Sequence, residues 1–262
     1  MVEASGHDDD FYVGYLPAGR RLMNRPRLVA VAVSALAGAL AALLPLTARD
    51  SGTGHWDDGN LRSFTGVFTR RPYAALHLTQ ATGSVREGTS LLVVEMGKFG
   101  GGRRKEPSDG RVATLRGYLL DRNGQMMIEL EPGEQAVGAN DNEGVAPPDL
   151  DEGSAAFEGE IVDSKCWMGA MKPGEGRVHR ECAIRCISGG IPPVLVSRAA
   201  DGSALFTLIS TDDGGRLSDE ALALVGLPVR VHGQLHRVGQ LRVLHVDSSG
   251  IKPITSTRAR PS

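Results

Sequence analysis

The sequence predicts a mainly β protein, in which a single N-terminal transmembrane helix is followed by two small OB-like β-barrel modules. Three observations carry this. Residues 28–48, LVAVAVSALAGALAALLPLTA, are the one uncharged apolar run of about the 20 residues that cross a bilayer as a helix. Most of the remainder consists of short β-like runs separated by turns, and 34 glycines with only 5% aromatic residues suit many short strands better than a helical bundle. Finally, one hairpin pattern occurs twice, about 115 residues apart, as expected of two copies of one small β-module.

The charges around the apolar run predict its orientation. Arg20, Arg21, Arg25 and Arg27 precede it and only Arg49 follows closely, which places residues 1–27 in the cytoplasm and the rest of the chain outside. The expected location is therefore the cell membrane, single-pass, with the C-terminal modules extracytoplasmic. A cleaved signal peptide is the rival reading. It meets a long charged leader and a Leu46 at the −3 position of the only cleavage site near the end of the run, where a small residue is required.

Residues 49–60 read as a Gly/Asp-rich linker. A first module is predicted over 61–132, with strand-like runs at 64–68, 74–78, 91–96, 113–120 and 125–130. Between the third and fourth lies the glycine-rich basic loop 97–105. It lacks the Gly-Lys-Ser/Thr exit into a helix that a phosphate loop needs, so it is expected to be a solvated hairpin tip. Residues 133–156 are acidic, rich in Gly and Pro and nearly devoid of large apolar side chains, the composition of an interdomain linker.

The second module is predicted over 157–256, leaving a tail at 257–262. Its opening Phe157-Glu158-Gly159 echoes Phe64-Thr65-Gly66, and the glycine-interrupted strand around Gly233 with its Gly239-Gln240 turn echoes Gly117 and Gly124-Gln125. Glycine inside a strand marks a bulge or a barrel corner. A short helix over 219–225, capped by Ser218 and ended by Gly226, precedes the last hairpin. Such a module is expected to fold alone.

Charge and motif narrow the function. Lysine plus arginine total 29 against 31 aspartates and glutamates, a formal net charge of −2, so no global field favours nucleic acid. No nucleophile elbow, His-Glu-x-x-His or paired catalytic carboxylates are visible, which argues against a hydrolase.

All three cysteines fall within 166–186. If 179–187 is helical, His179, Cys182 and Cys186 share one face at i, i+3 and i+7, and Cys166 at the end of the preceding apolar run can close the set. Cys3His binds Zn²⁺ and also serves Cu(I) or an iron-sulfur centre. Met168 and Met171 add thioethers that favour copper, and Asp163 stands where it can either orient a ligand or close a turn. A disulfide from Cys166 to Cys182 or Cys186, leaving one spare thiol, is the competing reading for an extracytoplasmic protein. His232, Gln234 and His236 alternate along one strand and share a face; without an acidic or sulfur partner in the sequence they read as a solvated sheet surface.

Residues 159–167 (GEIVDSKCW) and 179–192 (HRECAIRCISGGIP) together resemble a group of bacterial exported or membrane-anchored OB-like proteins. These join a G-x-V-x-D-x-x-C strand to an H-x-x-C-A-x-x-C-I-x-x-G-x-P helix exit, followed by a strand and a C-terminal barrel hairpin. The resemblance spans residues 157–250. It implies a shared fold and the same Cys/His placement, and it brings no activity with it. The resulting expectation is a membrane-anchored accessory protein that binds a soft metal or exchanges electrons or disulfides with a neighbouring membrane redox enzyme. The alternative is a disulfide-stapled scaffold that binds another protein and needs no cofactor.

Overall fold

A computed structural model describes residues 20–47, 53–102, 104–105, 107–211, 217–247 and 249–254. The predicted tail 257–262 and all but the last residues of the tail 1–27 lie outside them. The chain divides into two compact units, Met1–Asp50 and Ser51–Ser262.

In the first unit, α1 spans Arg20–Thr47. Its window Pro26–Leu43 is long and apolar enough to cross a membrane, and none of that window is buried within the protein. An apolar helix of this length satisfies its backbone hydrogen bonds internally, as any membrane-crossing segment must.

The second unit begins with β1 (His55–Thr69), β2 (Ala75–Leu78), β3 (Ser90–Val94), β4 (Arg111–Arg122) and β5 (Gln125–Leu130). The half of β1 from Phe64 to Phe68 buries its large side chains, while His55–Asn60 are mostly exposed. Pairing runs β1–β2–β3–β5–β4 and returns from β4 to β1, with β3–β5 the one parallel contact in the ring. These pairings close a five-stranded barrel, which leaves no unpaired edge within the ring. The β4–β5 turn is Asn123-Gly124, both with positive φ (52° and 77°), the two-residue geometry whose twist matches flanking antiparallel strands.

Next come β6 (Val137–Glu143), paired to the outside of β4, and β7 (Asp149–Asp163). These strands occupy most of the acidic stretch 133–156, and β1 likewise takes residues 55–60 of the expected first linker. The burial of β7 explains the misreading: 149–152 are exposed and 153–160 are at most half-buried. They are held by antiparallel pairing to a neighbouring strand rather than by an apolar face of their own. Composition records side-chain burial, whereas a strand also forms wherever a partner supplies its backbone hydrogen bonds.

The chain continues through α2 (Arg180–Ser188), β8 (Pro193–Arg198), β9 (Ala204–Thr211), α3 (Asp219–Leu222), β10 (Pro228–Val238), β11 (Leu241–Val246) and β12 (Ile251–Pro253). The order of pairing is β7–β8–β9–β11–β10, with β10 returning to β7 and β9–β11 parallel. This repeats the first ring strand for strand. Ser218 caps α3 by accepting the Ala221 amide at 3.3 Å, as its sequence position predicts. Gly117 and Gly233 occupy equivalent points of β4 and β10: a Cβ would lie 2.3 Å from the Glu129 carbonyl oxygen at the first and 2.0 Å from that of His245 at the second. Each marks a place where neighbouring backbones approach too closely for any side chain.

The two sheets are not beads on a string. One apolar cluster joins Leu92, Leu120 and Met127 of the first to Val162, Trp167 and Val194 of the second, and each sheet keeps a further cluster of its own. The seam between them holds the cysteines.

Candidate metal centre

Strand β7 delivers the first part of the site. Asp163, Ser164, Lys165 and Cys166 at its end are all buried. The Asp163 carboxylate turns the chain there, Oδ1 accepting the Cys166 amide at 2.8 Å, and a helical turn follows over Cys166–Ala170. Helix α2 delivers the rest. Its apolar face, Ala183 and Ile187, packs into the core of the second sheet, while Cys186 is buried and Cys182 half-buried against the shared cluster. His179, just before the first turn, is 4% exposed.

The expected helix face therefore forms and meets Cys166. One donor atom each from Cys166, His179 and Cys182 lie within 4.8 Å of one another, and so do those from Asp163, Cys166 and Cys186. Cys166 belongs to both groups, which therefore adjoin. Asp163 does both things its position suggested, since its Oδ2 lies 2.9 Å from His179 Nε2. A carboxylate only accepts, so Nε2 carries the proton, and Nδ1 is the ring nitrogen left to serve a ligand.

All three cysteines are free thiols, so the competing pairing of Cys166 with Cys182 or Cys186 is not present. The Cys166 thiol donates to the sulfur of Cys186 and thereby pulls the latter's pKa down to about 7, with Lys98 and Cys182 adding to the effect against burial and Asp163. By the same bond, and by burial, the Cys166 pKa is pushed far up. A lowered Cys186 pKa eases the loss of the thiol proton that binding a soft cation requires.

A cation faces this cluster from the other sheet. Lys98 Nζ is 2.8 Å from Cys182 Sγ and 3.6 Å from Cys186 Sγ, and the bond to Cys182 is the main reason its pKa is raised. Lys98 comes from the glycine-rich loop. Its residues 97–99 and 101–102 are exposed, as expected of a tip, but the loop is anchored at its buried Gly100. Gly100 bridges back to Val94, and its amide donates to the Gly189 carbonyl at 3.2 Å. A Cβ on Gly189 would lie 1.8 Å from the Lys98 carbonyl oxygen, and one on Gly100 would lie 1.9 Å from that of Gly190. Glycine is required here for backbone contact between the sheets, not for phosphate.

Beneath the thiols, Lys165 crosses the same seam. Its ammonium donates to Glu129 Oε1 at 2.6 Å and to the carbonyls of Gly97 at 2.7 Å and Glu95 at 2.9 Å, with both charged side chains almost wholly buried. Arg122 donates to the Trp167 carbonyl at 2.9 Å and stacks over its ring at 4.4 Å.

The remaining predicted residues divide. Met168 is wholly buried in the shared apolar cluster, whereas Met171 is 49% exposed. His232, Gln234 and His236 do share a face, but acidic partners are present: His236 Nδ1 is 2.8 Å from Asp149 Oδ1 and Gln234 donates to Asp151 Oδ1 at 2.5 Å. Both carboxylates come from β7, in the stretch taken for a linker. Lys98 and Lys165 are site residues that motif spacing missed. Comparison with protein-family models, curated proteins and solved structures finds no match.

Proposed function

We propose that this protein is a membrane-anchored accessory protein whose two OB-like barrels hold a soft metal ion, zinc above all, in a closed Cys3His centre at their seam. The ligands are Cys166, His179 through Nδ1, Cys182 and Cys186, with Asp163 orienting the histidine. The observation that carries this reading is the convergence of these groups in two overlapping sets, each within 4.8 Å. Four protein ligands leave no open position for a substrate, which is the character of a structural or metal-holding site rather than a hydrolytic one. Cu(I) and an iron-sulfur centre fit less well, because the buried Met168 lies in the apolar cluster and a cluster of that kind usually takes four thiolates.

Helix α1 serves as the anchor, with the arginines before residue 28 on the cytoplasmic side and the metal centre outside. Iron, zinc and copper analysis of the full chain purified anaerobically in detergent tests the proposal. One zinc per chain, lost in Cys182→Ser, supports it; a metal-free chain that takes up no zinc on reconstitution contradicts it. The approach of the Cys166 and Cys186 sulfurs to within 4.8 Å of each other favours a second reading, dithiol exchange with a membrane redox enzyme. Under that reading the metal-free chain forms a Cys166–Cys186 disulfide on mild oxidation, detected by non-reducing mass spectrometry.

A further inference from the structure

Three thiolates around a divalent cation leave one negative charge that the four ligands themselves do not balance, and Cys166, His179 and Cys186 are buried, where an unbalanced charge is costly, with half-buried Cys182 and exposed Lys98 at the rim. The first sheet supplies a cation to the sulfurs: Lys98 Nζ reaches Cys182 Sγ at 2.8 Å and Cys186 Sγ at 3.6 Å. Its path is set by backbone, because the loop lies on the exit of α2 so closely that neither Gly100 nor Gly189 has room for a Cβ. The Gly100 amide fixes the contact on the Gly189 carbonyl.

We propose that Lys98 is a positioning residue of the metal centre. Its ammonium donates hydrogen bonds to two of the thiolate ligands and neutralises the residual charge, so that the first sheet completes a site whose ligands all belong to the second. The inference rests on the Cys3His reading. It adds that the centre is tuned for a divalent metal bound by three thiolates, and that docking of the glycine loop controls how tightly the metal is held. Lys98 binds no metal itself and acts through the sulfurs of Cys182 and Cys186. An N–H···S bond withdraws electron density from a thiolate, so its loss raises the energy of the sulfur lone pairs and shifts sulfur-to-metal charge transfer to longer wavelength.

Co²⁺ titration of the full chain in detergent under anaerobic conditions tests this, with affinity read by chelator competition and the thiolate charge-transfer band read by absorbance. Lys98→Met is expected to weaken binding by about 10-fold to 100-fold, the usual effect of losing an outer partner of metal ligands, and to move the band to longer wavelength. Lys98→Arg is expected to restore both. Gly189→Ala, which keeps Lys98 but forces the loop off α2, is expected to behave as Lys98→Met does. Far-UV circular dichroism like that of the wild type excludes unfolding as the cause. Wild-type binding matched by Lys98→Met in both affinity and spectrum overturns the inference and leaves the Cys3His centre standing. Gly189→Ala indistinguishable from wild type overturns the role of the loop. A wild-type chain that binds no Co²⁺ overturns the centre and this inference together.

Discussion

Asp163 shows how one side chain sets a site. Wholly buried, it spends one oxygen on the Cys166 amide and the other on His179, so it fixes both a sulfur and an imidazole. Asp163→Asn keeps a carbonyl for the amide but offers His179 an uncharged partner at best. Metal affinity is expected to fall by about 10-fold or more while far-UV circular dichroism is unchanged. Away from the centre, His77 is buried between two hydroxyls, with Ser90 Oγ 2.8 Å from Nδ1 and Thr69 Oγ1 3.0 Å from Nε2, and burial lowers its pKa. The unfolded chain therefore takes up the histidine proton first. As pH falls below about 6.5, stability is lost at up to about 1.4 kcal/mol per pH unit, until His77 also protonates in the folded state. Urea unfolding between pH 7 and pH 5 is expected to show this decline, and a flatter one in His77→Gln. An unchanged slope would mean the histidine does not control it.

At the scale of elements, legibility followed the kind of force involved. Strands whose side chains alternate into a core, such as β4, are visible in the pattern, and the shared face of His179, Cys182 and Cys186 follows from spacing once that segment is taken as helical. β6 and the first half of β7 were hidden, because their backbones are held by neighbouring strands, and in that half of β7 the side chains stay largely wet. Lys98 was hidden for another reason: 84 residues separate it from Cys182, and no local periodicity encodes a contact between two sheets. The clue was the excess of glycine around it, which marked close backbone approach. Trp167 tests the packing of the turn after β7. It is 1% exposed, stacks at 5.2 Å from Phe206 and lies under Arg122. Trp167→Ala is expected to cost about 3–5 kcal/mol, measured by denaturant unfolding; a loss below about 1 kcal/mol would show that the shared cluster does not hold the seam.

For the molecule as a whole, the seam joins the two sheets within one compact unit, Ser51–Ser262, which is expected to unfold as one. Separating residues 157–256 would expose the shared cluster and strip Lys165 of Glu129, so that fragment is expected to be much less stable alone than within the chain. The buried pair makes the same point in the intact protein. Lys165→Met, which strands the Glu129 charge, is expected to cost about 3–5 kcal/mol, whereas adding Glu129→Leu recovers much of that loss; denaturant unfolding of both variants checks it, and equal losses would contradict it. What the seam is for rests on the metal. X-ray absorption at the zinc edge of the zinc-loaded full chain is the most direct measurement. The predicted result is a first shell of three sulfurs at about 2.3 Å and one nitrogen at about 2.0 Å, and a shell of oxygen and nitrogen alone would contradict the account.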